Sequence, residues 1–175
     1  MAKPLIQLAL DSLDYDTTVR LAQVAHRYVD IIEIGTPCLK VNGLALVKDL
    51  KARFPTKQIL VDLKTMDAGY YEAEPFFKAG AAITTVLGTS DLDTIKGVIA
   101  VANKYHAKAQ VDLINVHDKA ACAKAAALSW TLIRSTWAFA PYLLATAMTP
   151  LMVSRSEVPS TVVMAAPAAK NGSAS

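Results

Sequence analysis

Short apolar runs alternate with longer segments of helical periodicity over the first 127 positions. The runs are rich in Val, Ile and Leu, as buried parallel strands are, and lie at residues 5–10, 30–34, 58–63, 82–87 and 109–116. Helices are predicted at residues 17–28, 41–54, 69–79, 92–105 and 118–127. In the second helix, Val47, Leu50 and Phe54 share an apolar face. This alternation predicts an α/β fold.

The regular recurrence of the strands is typical of βα units joined by right-handed crossovers. We predict an α/β fold of (β/α)8 TIM-barrel type. Five βα units are recognisable, whereas a closed barrel needs eight and about 200 residues or more. The predicted barrel is therefore incomplete. Without closure it would leave two strand edges unpaired.

The composition changes near residue 128. Of the chain's 18 basic and 15 acidic residues, only four fall in residues 128–175, together with one of the 7 glycines. We divide the chain into residues 1–127, the barrel portion that carries the metal and catalytic residues, and residues 128–175, a divergent tail. The end of the tail, residues 158–175, is rich in Ala, Pro and Ser and is expected to be disordered.

Three interpretations of the tail compete. The first is a change of reading frame: codons TGG-ACN at Trp130–Thr131 and TGG-GCN at Trp137–Ala138, read from the third base, give aspartate and glycine. The second is a membrane segment, since residues 135–153 carry no charge, but two prolines interrupt them and the flanks lack a strong positive bias. The third is a genuine, divergent oligomerisation segment. The composition favours the first over the second.

Charge and cysteine content exclude several classes of protein. The net charge is +3 with a pI near 8.8, and no stripe of Lys and Arg is present, so nucleic acid is not an expected partner. Two cysteines do not make a disulfide framework. The first residues lack the apolar core of a signal peptide. We therefore expect a cytoplasmic protein.

Charged residues interrupt or follow the apolar runs where parallel strands would end. These residues are Asp11, Glu33, Asp62, Lys64, Asp67 and Asp112. A buried carboxylate without a partner costs several kcal/mol, so each must meet a cation, a metal or several donors. The carboxyl ends of barrel strands surround one mouth, where catalysis takes place in this fold. The alternative, structural ion pairs alone, is weakened because the charges recur strand after strand.

The types of these residues suggest a chemistry. Glu33 and Asp62, on neighbouring strands, would suit Mg²⁺, which takes hard oxygen ligands and retains several waters. Lys64, held between Asp62 and Asp67, would stay protonated and could stabilise an enolate oxygen. The sequence therefore predicts a polar site with a divalent ion at the barrel mouth.

Three segments carry a resemblance to a known family: DIIEIGTP at residues 30–37, VDLKTMDAG at 61–69 and TVLG at 85–88. Together they resemble the 3-hexulose-6-phosphate synthase family, within the suprafamily of orotidine-monophosphate decarboxylase barrels. The Asp-x-Lys-x-x-Asp element marks the suprafamily, and the flanking residues narrow it to the synthases. The resemblance covers about residues 5–127.

The resemblance implies an aldehyde-lyase that adds formaldehyde to the sugar phosphate D-ribulose 5-phosphate through an enediolate. It implies Mg²⁺ as cofactor with Glu33 and Asp62 as ligands, and Lys64 as the residue that stabilises the enediolate. It places Asp11 near the substrate hydroxyls, as a catalytic and substrate-binding residue, and Asp112 in the same cavity. It assigns Asp67 to the neighbouring subunit's site in a homodimer with shared active sites.

Beyond residue 127 the family's pattern is lost. The family's acid/base histidine and the glycine-rich loops that hold the phosphate have no counterpart here, since the three histidines, His26, His106 and His117, precede that region. These histidines read as surface or helix-terminal residues. We therefore expect synthase activity that is much reduced or absent. Two alternatives remain: the sister activity, 3-keto-L-gulonate-6-phosphate decarboxylase, and a non-catalytic partner subunit.

Overall fold

A computed structural model describes residues 5–118, 132–134 and 161–165 of the chain. Strands and helices alternate, and each predicted element up to residue 112 is present. The strands are β1 (Leu5–Leu10), β2 (Ile31–Ile34), β3 (Gln58–Thr65), β4 (Ile83–Leu87), β5 (Lys108–Asp112), β6 (Leu132–Arg134) and β7 (Thr161–Ala165). The helices are α1 (Tyr15–Ala25), α2 (Thr36–Arg53), α3 (Gly69–Lys78) and α4 (Leu92–Lys104), with a short 3₁₀ turn at His26–Tyr28.

All the strands lie in one parallel sheet with the order β6-β5-β4-β3-β2-β1-β7. Strands β1 to β5 follow the chain order, and each pair is joined by one helix. The parallel α/β arrangement predicted from the sequence is therefore confirmed. No helix within the described ranges is long and apolar enough to cross a membrane.

The tail contributes two strands that the sequence pattern did not predict. The backbone of β6 pairs with β5, and that of β7 pairs with β1, so both edges of the five-stranded portion are covered. Among the described residues β6 and β7 are then the outer strands of the sheet, each paired on one side, and residues 161–165 form a strand within the segment expected to be disordered. The helix predicted at residues 118–127, apart from its first residue, and the rest of the predicted tail lie outside the described residues.

The two largest differences from the predicted boundaries have local reasons. Helix α2 begins at Thr36 rather than residue 41, and Gly43, with φ of 60°, interrupts it. A left-handed residue of this kind favours glycine because a Cβ is disfavoured there. Strand β5 ends at Asp112 rather than residue 116, and the chain turns through Asn115 with φ of 58°. Asparagine tolerates that conformation better than most residues.

The two faces of the sheet differ in character. The side chains that pack against the helices are apolar and form the main core, with Leu10, Ile32, Ile34, Ile59, Val61, Val86 and Val111 among its members. The opposite face has a small apolar layer of Ile31, Leu60 and Ile83. Nearer the carboxyl ends of the strands it carries buried polar side chains, namely Gln7, Glu33, Asp62, Thr85, Gln110 and Asp112. This polar face is where the site lies.

Candidate active site

Three charged residues from two strands meet at the carboxyl end of the sheet. Lys64 Nζ lies 2.9 Å from Asp62 Oδ2 and 2.8 Å from Asp112 Oδ2. Asp112 is fully buried and Asp62 nearly so, while the Lys64 side chain is 29% exposed. Since β4 lies between β3 and β5, the Lys64 ammonium group bridges across one strand. The cluster combines a cation with two carboxylates at the place predicted from the sequence.

Two threonine hydroxyls complete the surroundings of Asp62. Thr85 Oγ1 donates to Asp62 Oδ1 at 2.8 Å. Thr36 Oγ1 lies 3.0 Å from Asp62 Oδ2 and 2.8 Å from the Asp62 carbonyl oxygen, so its single proton is shared between them. Neither residue was predicted from the sequence. Thr85 shares strand parity with the inward-facing Ile83, and that is the signal that could have found it.

The backbone at Lys64 is irregular. Its φ is 49°, and the register between β3 and β4 shifts between Val61 and Thr65. A bulge of this kind re-aims a side chain and is common beside active sites. Holding a lysine in the left-handed region costs on the order of 1–2 kcal/mol. This unfavourable backbone conformation directs the Lys64 side chain toward the two carboxylates.

The electrostatic environment keeps Lys64 protonated. Burial lowers the pKa of this amine, but hydrogen bonds to Asp112 and then Asp62, with the attraction of both charges, outweigh it and raise the pKa above its ordinary value of 10.5. A lysine with a raised pKa is a cation near neutral pH and a poor proton acceptor. Lys64 can therefore stabilise negative charge, but it is not suited to act as a general base.

Glu33 lies one strand away from this cluster. It is 1% exposed, faces the same side of the sheet as Leu60 and Asp62, and accepts a hydrogen bond from the Gln7 side-chain amide. Gln7 was not identified from the sequence. Two buried carboxylates on neighbouring strands supply the hard oxygens that Mg²⁺ prefers, and this ion commonly uses only one or two protein carboxylates. The described part of the chain holds no group of three or more His, Cys, Asp or Glu side chains placed to bind a metal.

Asp11 follows β1 at the same end of the sheet. Its carboxylate packs against the Cα of Gly35, because a Cβ built there would lie 1.9 Å from Asp11 Oδ1. Gly35 precedes α2 and donates its N–H to the Leu10 carbonyl at 2.9 Å. A glycine at position 35 thus allows Asp11 to approach the start of α2. Asp11 is exposed and accessible from the mouth.

One expectation about Lys64 is wrong. Its second carboxylate is Asp112, not Asp67. Strand β3 ends at Thr65, and the chain then turns through Ala68, with φ of 47°, into α3. Because of this turn Asp67 lies on an exposed loop at the rim. The structure brings Asp62, Lys64 and Asp112 together and leaves Asp67 outside that cluster.

A surface groove of about 340 Å³ lies away from the site, beside the C-terminal ends of α1 and α2, and its lining includes His26, Arg53, Phe54 and Lys57. None of the charged site residues lines it. Its basic groups have structural partners: Lys57 Nζ donates to the Val29 carbonyl at 2.7 Å, and Arg53 pairs with Asp49 at 2.8 Å. His26 contacts the Gln23 carbonyl near the end of α1, as a helix-terminal histidine should. This groove is a structural feature rather than a second candidate centre.

Comparison with known proteins identifies similar sequences. The model of the orotidine 5'-phosphate decarboxylase / HUMPS family matches residues 4–135. The 3-hexulose-6-phosphate synthase of Methylomonas aminofaciens is 68% identical over 120 residues, which are 69% of this chain and 57% of that protein. The synthase of Mycobacterium gastri is 44% identical over 115 residues, 66% of this chain and 56% of that one. The chain thus spans little more than half the length of the curated relatives it matches.

Comparison with solved structures identifies proteins of the same family. A crystal structure of a 3-hexulose-6-phosphate synthase has a TM-score of 0.71 and 42% identity, covering 74% of this chain and 63% of that one. A 3-keto-L-gulonate-6-phosphate decarboxylase from Vibrio cholerae has a TM-score of 0.70 and 31% identity, covering 72% of this chain and 58% of that one. The predicted TIM-barrel type of fold is confirmed by this similarity.

Proposed function

Because the chain belongs to the orotidine 5'-phosphate decarboxylase / HUMPS family, we propose that it carries the catalytic half of a 3-hexulose-6-phosphate synthase. The reaction is an aldol addition of formaldehyde to D-ribulose 5-phosphate, which gives D-arabino-hex-3-ulose 6-phosphate. The observation that carries the proposal is the Asp62–Lys64–Asp112 cluster on the polar face of the sheet. The high identity to named synthases supports the choice of reaction.

Lys64 has the central electrostatic role. The addition requires that negative charge develop on a ketose oxygen when a proton leaves the adjacent carbon. An ammonium group already fixed by two carboxylates needs little reorganisation to stabilise that charge. Its raised pKa keeps it charged throughout the neutral range. Lys64 is therefore not the group that accepts the proton.

Glu33 and Asp62 would hold the Mg²⁺ that the family resemblance implies. Both are buried carboxylates on neighbouring strands of the same face, so the donor set fits the ion in chemistry. A bound Mg²⁺ supplies Lewis acidity toward the oxygens of the ketose. Burial of the two carboxylates also keeps bulk water from competing for them.

The remaining three acids would have different roles around the substrate. Asp11, exposed at the mouth, can accept hydrogen bonds from sugar hydroxyls, and Asp112 holds Lys64 from the opposite side. Asp67 lies on an exposed rim loop apart from its own chain's cluster. That position supports the proposal that Asp67 serves the site of a second copy in a homodimer.

The sister decarboxylase is the alternative function, and it is favoured by one observation: structures of that enzyme match the fold as well as those of synthases do. Sequence identity favours the synthase, at 68% for a named synthase against 31% for the decarboxylase structure. A third possibility is a non-catalytic subunit that pairs with complete copies.

Turnover assays separate these functions. The purified chain is given formaldehyde with ribulose 5-phosphate, or 3-keto-L-gulonate 6-phosphate, beside a full-length synthase as reference. We expect formaldehyde consumption that lies well below that of the full-length synthase but above that of a Lys64→Met variant, and no CO₂ release. Release of CO₂ without formaldehyde consumption would replace the proposal by the decarboxylase. Turnover in neither assay, together with heterodimers on mixing with the reference enzyme, would favour the non-catalytic subunit.

A further inference from the structure

Thr85 is a fully buried residue in the middle of β4 that makes two polar contacts within the site. Its hydroxyl oxygen lies 2.8 Å from Asp62 Oδ1 and 2.8 Å from the Lys64 backbone nitrogen. Both partners belong to β3, on the carboxyl side of the strand. One side chain therefore touches the carboxylate and the main chain of two different site residues.

The direction of each hydrogen bond is fixed by chemistry. A backbone N–H can only donate, so the Thr85 oxygen must accept from Lys64. The hydroxyl has a single proton, and that proton is then directed to Asp62 Oδ1. The contact helps to orient the Asp62 carboxylate. Thr36 donates to its Oδ2, and Lys64 Nζ lies within reach of both oxygens, 3.1 Å from Oδ1 and 2.9 Å from Oδ2. Thr85 thus fixes the Asp62 carboxylate from the β4 side, together with Thr36 and Lys64.

The Lys64 N–H needs this partner because of the bulge. The left-handed φ of 49° and the register shift between Val61 and Thr65 interrupt the regular ladder between β3 and β4. A buried N–H without a partner costs free energy comparable to a lost hydrogen bond. The Thr85 hydroxyl supplies the acceptor, so it stabilises the backbone conformation that directs Lys64 into the site.

The geometry points to Thr85 as a positioning residue that sets Asp62 and Lys64 together for the reaction. This inference rests on the proposed function for its kinetic consequence, while its structural consequence is independent of it. Thr85 is fully buried and acts through its two partners. Loss of the hydroxyl should misplace both a proposed metal ligand and the cation at once.

A matched control lies next to it in the same strand. Thr84 is also fully buried, but its hydroxyl oxygen has no hydrogen-bond partner among the residues that the structure describes. Thr84→Val and Thr85→Val make the same chemical change at adjacent positions on opposite faces of β4. Thr85→Ser retains the hydroxyl and removes only a methyl group.

The experiment measures amide hydrogen exchange at Lys64 by NMR and the kinetics of formaldehyde addition for each variant. For Thr85→Val we expect Lys64 exchange to be at least about tenfold faster, and kcat to fall at least about tenfold with KM within about twofold. Thr85→Ser should stay close to the wild type in both, and Thr84→Val should match it. If packing of the methyl group were what mattered, Thr85→Ser would lower kcat as Thr85→Val does, so rescue of kcat by serine identifies the hydroxyl.

Several outcomes would overturn the inference. If the amide exchange of Lys64 is unchanged in Thr85→Val, the inference is wrong whether or not the chain is active. If the exchange is faster but kcat is unchanged, the inference is also wrong. If the wild type has no turnover, the proposed function fails, and the Thr85 inference is then decided by the exchange rates alone. If Thr85→Val does not fold, Thr85→Ser is compared with Thr85→Ala, since both lack the methyl group. Equal Lys64 exchange in that pair overturns it.

Discussion

Replacing Asp112 with asparagine tests the claim that burial gives the Lys64 cluster its strength. Asp112 is fully buried and 2.8 Å from Lys64 Nζ, and its Oδ1 accepts from the Ile114 backbone N–H at 3.0 Å. Asparagine has nearly the same shape, and its single side-chain oxygen can stay with the Ile114 N–H, so Lys64 loses both a negative charge and the acceptor that Asp112 Oδ2 provides. The surface pair Arg53–Asp49 has the same 2.8 Å distance but side chains that are 48% and 26% exposed. Asp49→Asn is therefore the matched control.

The expected magnitudes differ because of solvent. Two unit charges at this distance attract by about 6 kcal/mol at an effective dielectric of about 20. Desolvation cancels most of that, and Lys64 keeps Asp62 as a partner. A hydrogen bond to a charged group contributes about 1.5–3 kcal/mol, and asparagine, whose one side-chain oxygen stays with Ile114, does not replace it. We expect Asp112→Asn to lower the free energy of unfolding by about 2 kcal/mol, against about 0.3–0.5 kcal/mol for the exposed helical pair.

The assay is urea unfolding of both variants and the wild type as a function of pH. The pKa of Lys64 is raised in the folded state, so its stabilising contribution is fully present below its ordinary pKa of 10.5 and is lost as the pH rises through the folded value. The gap between wild type and Asp112→Asn should therefore stay constant from neutral pH to about pH 9 and narrow above pH 10.5. If Asp112→Asn costs no more than Asp49→Asn, the reasoning from burial is refuted.

Three further predictions concern catalysis, the metal and packing. Lys64→Met should lower kcat by about 10²–10³-fold, because a fixed charge near a developing oxyanion is lost, while far-ultraviolet circular dichroism stays native; retained kcat would show that another group stabilises that charge. Chelation of divalent ions should abolish turnover, and added Mg²⁺ should restore it. In calorimetric titration the Glu33→Gln variant should need a markedly higher Mg²⁺ concentration for half-saturation than the wild type. Equal titration curves would exclude Glu33 as a ligand. Gly69→Ala should destabilise the fold by about 1–3 kcal/mol, because its Cβ would lie 2.1 Å from the Thr94 carbonyl oxygen of α4. Ala68 has a left-handed backbone with φ of 47°, so Ala68→Gly should instead stabilise the fold by about 0.4–1 kcal/mol. Thermal unfolding of both variants measures this, and a lower melting temperature for Ala68→Gly than for Gly69→Ala would contradict the interpretation.

The sequence was sufficient for the layered architecture because each strand carries its own burial pattern. The run from Leu5 to Leu10 is observed as β1 without change, and the helix-facing residues Ile32, Ile34 and Val61 belong to the core as the apolar runs indicated. Apolar periodicity reflects which side chains are buried, so it predicts strands and helices with little dependence on the tertiary structure. The two tail strands carry no comparable signal. Their backbone pairing with β5 and β1 could not be read from the local pattern.

The site was predictable in its charges and not in its neutral groups. Asp62, Lys64 and Asp112 stood out because a charge within an apolar run demands a partner. Thr36, Thr85 and Gln7 gave no such signal, since hydroxyls and amides are common in strands and at helix starts. The wrong partner for Lys64 has the same origin: Asp67 is near in sequence, whereas Asp112 becomes a neighbour only through sheet pairing across β4.

The alternation of side chains along each strand has a consequence for how such a protein can change over time. Ile34 and Val61 anchor the helices, while Glu33 and Asp62, one position away, line the opposite surface. A mutation at an odd-numbered position of β2 can therefore alter reactivity without loosening the hydrophobic layer beneath the helices. Directed evolution of new carbon–carbon chemistry on this scaffold should concentrate its libraries on those alternate positions, where substitutions leave the layer beneath the helices intact.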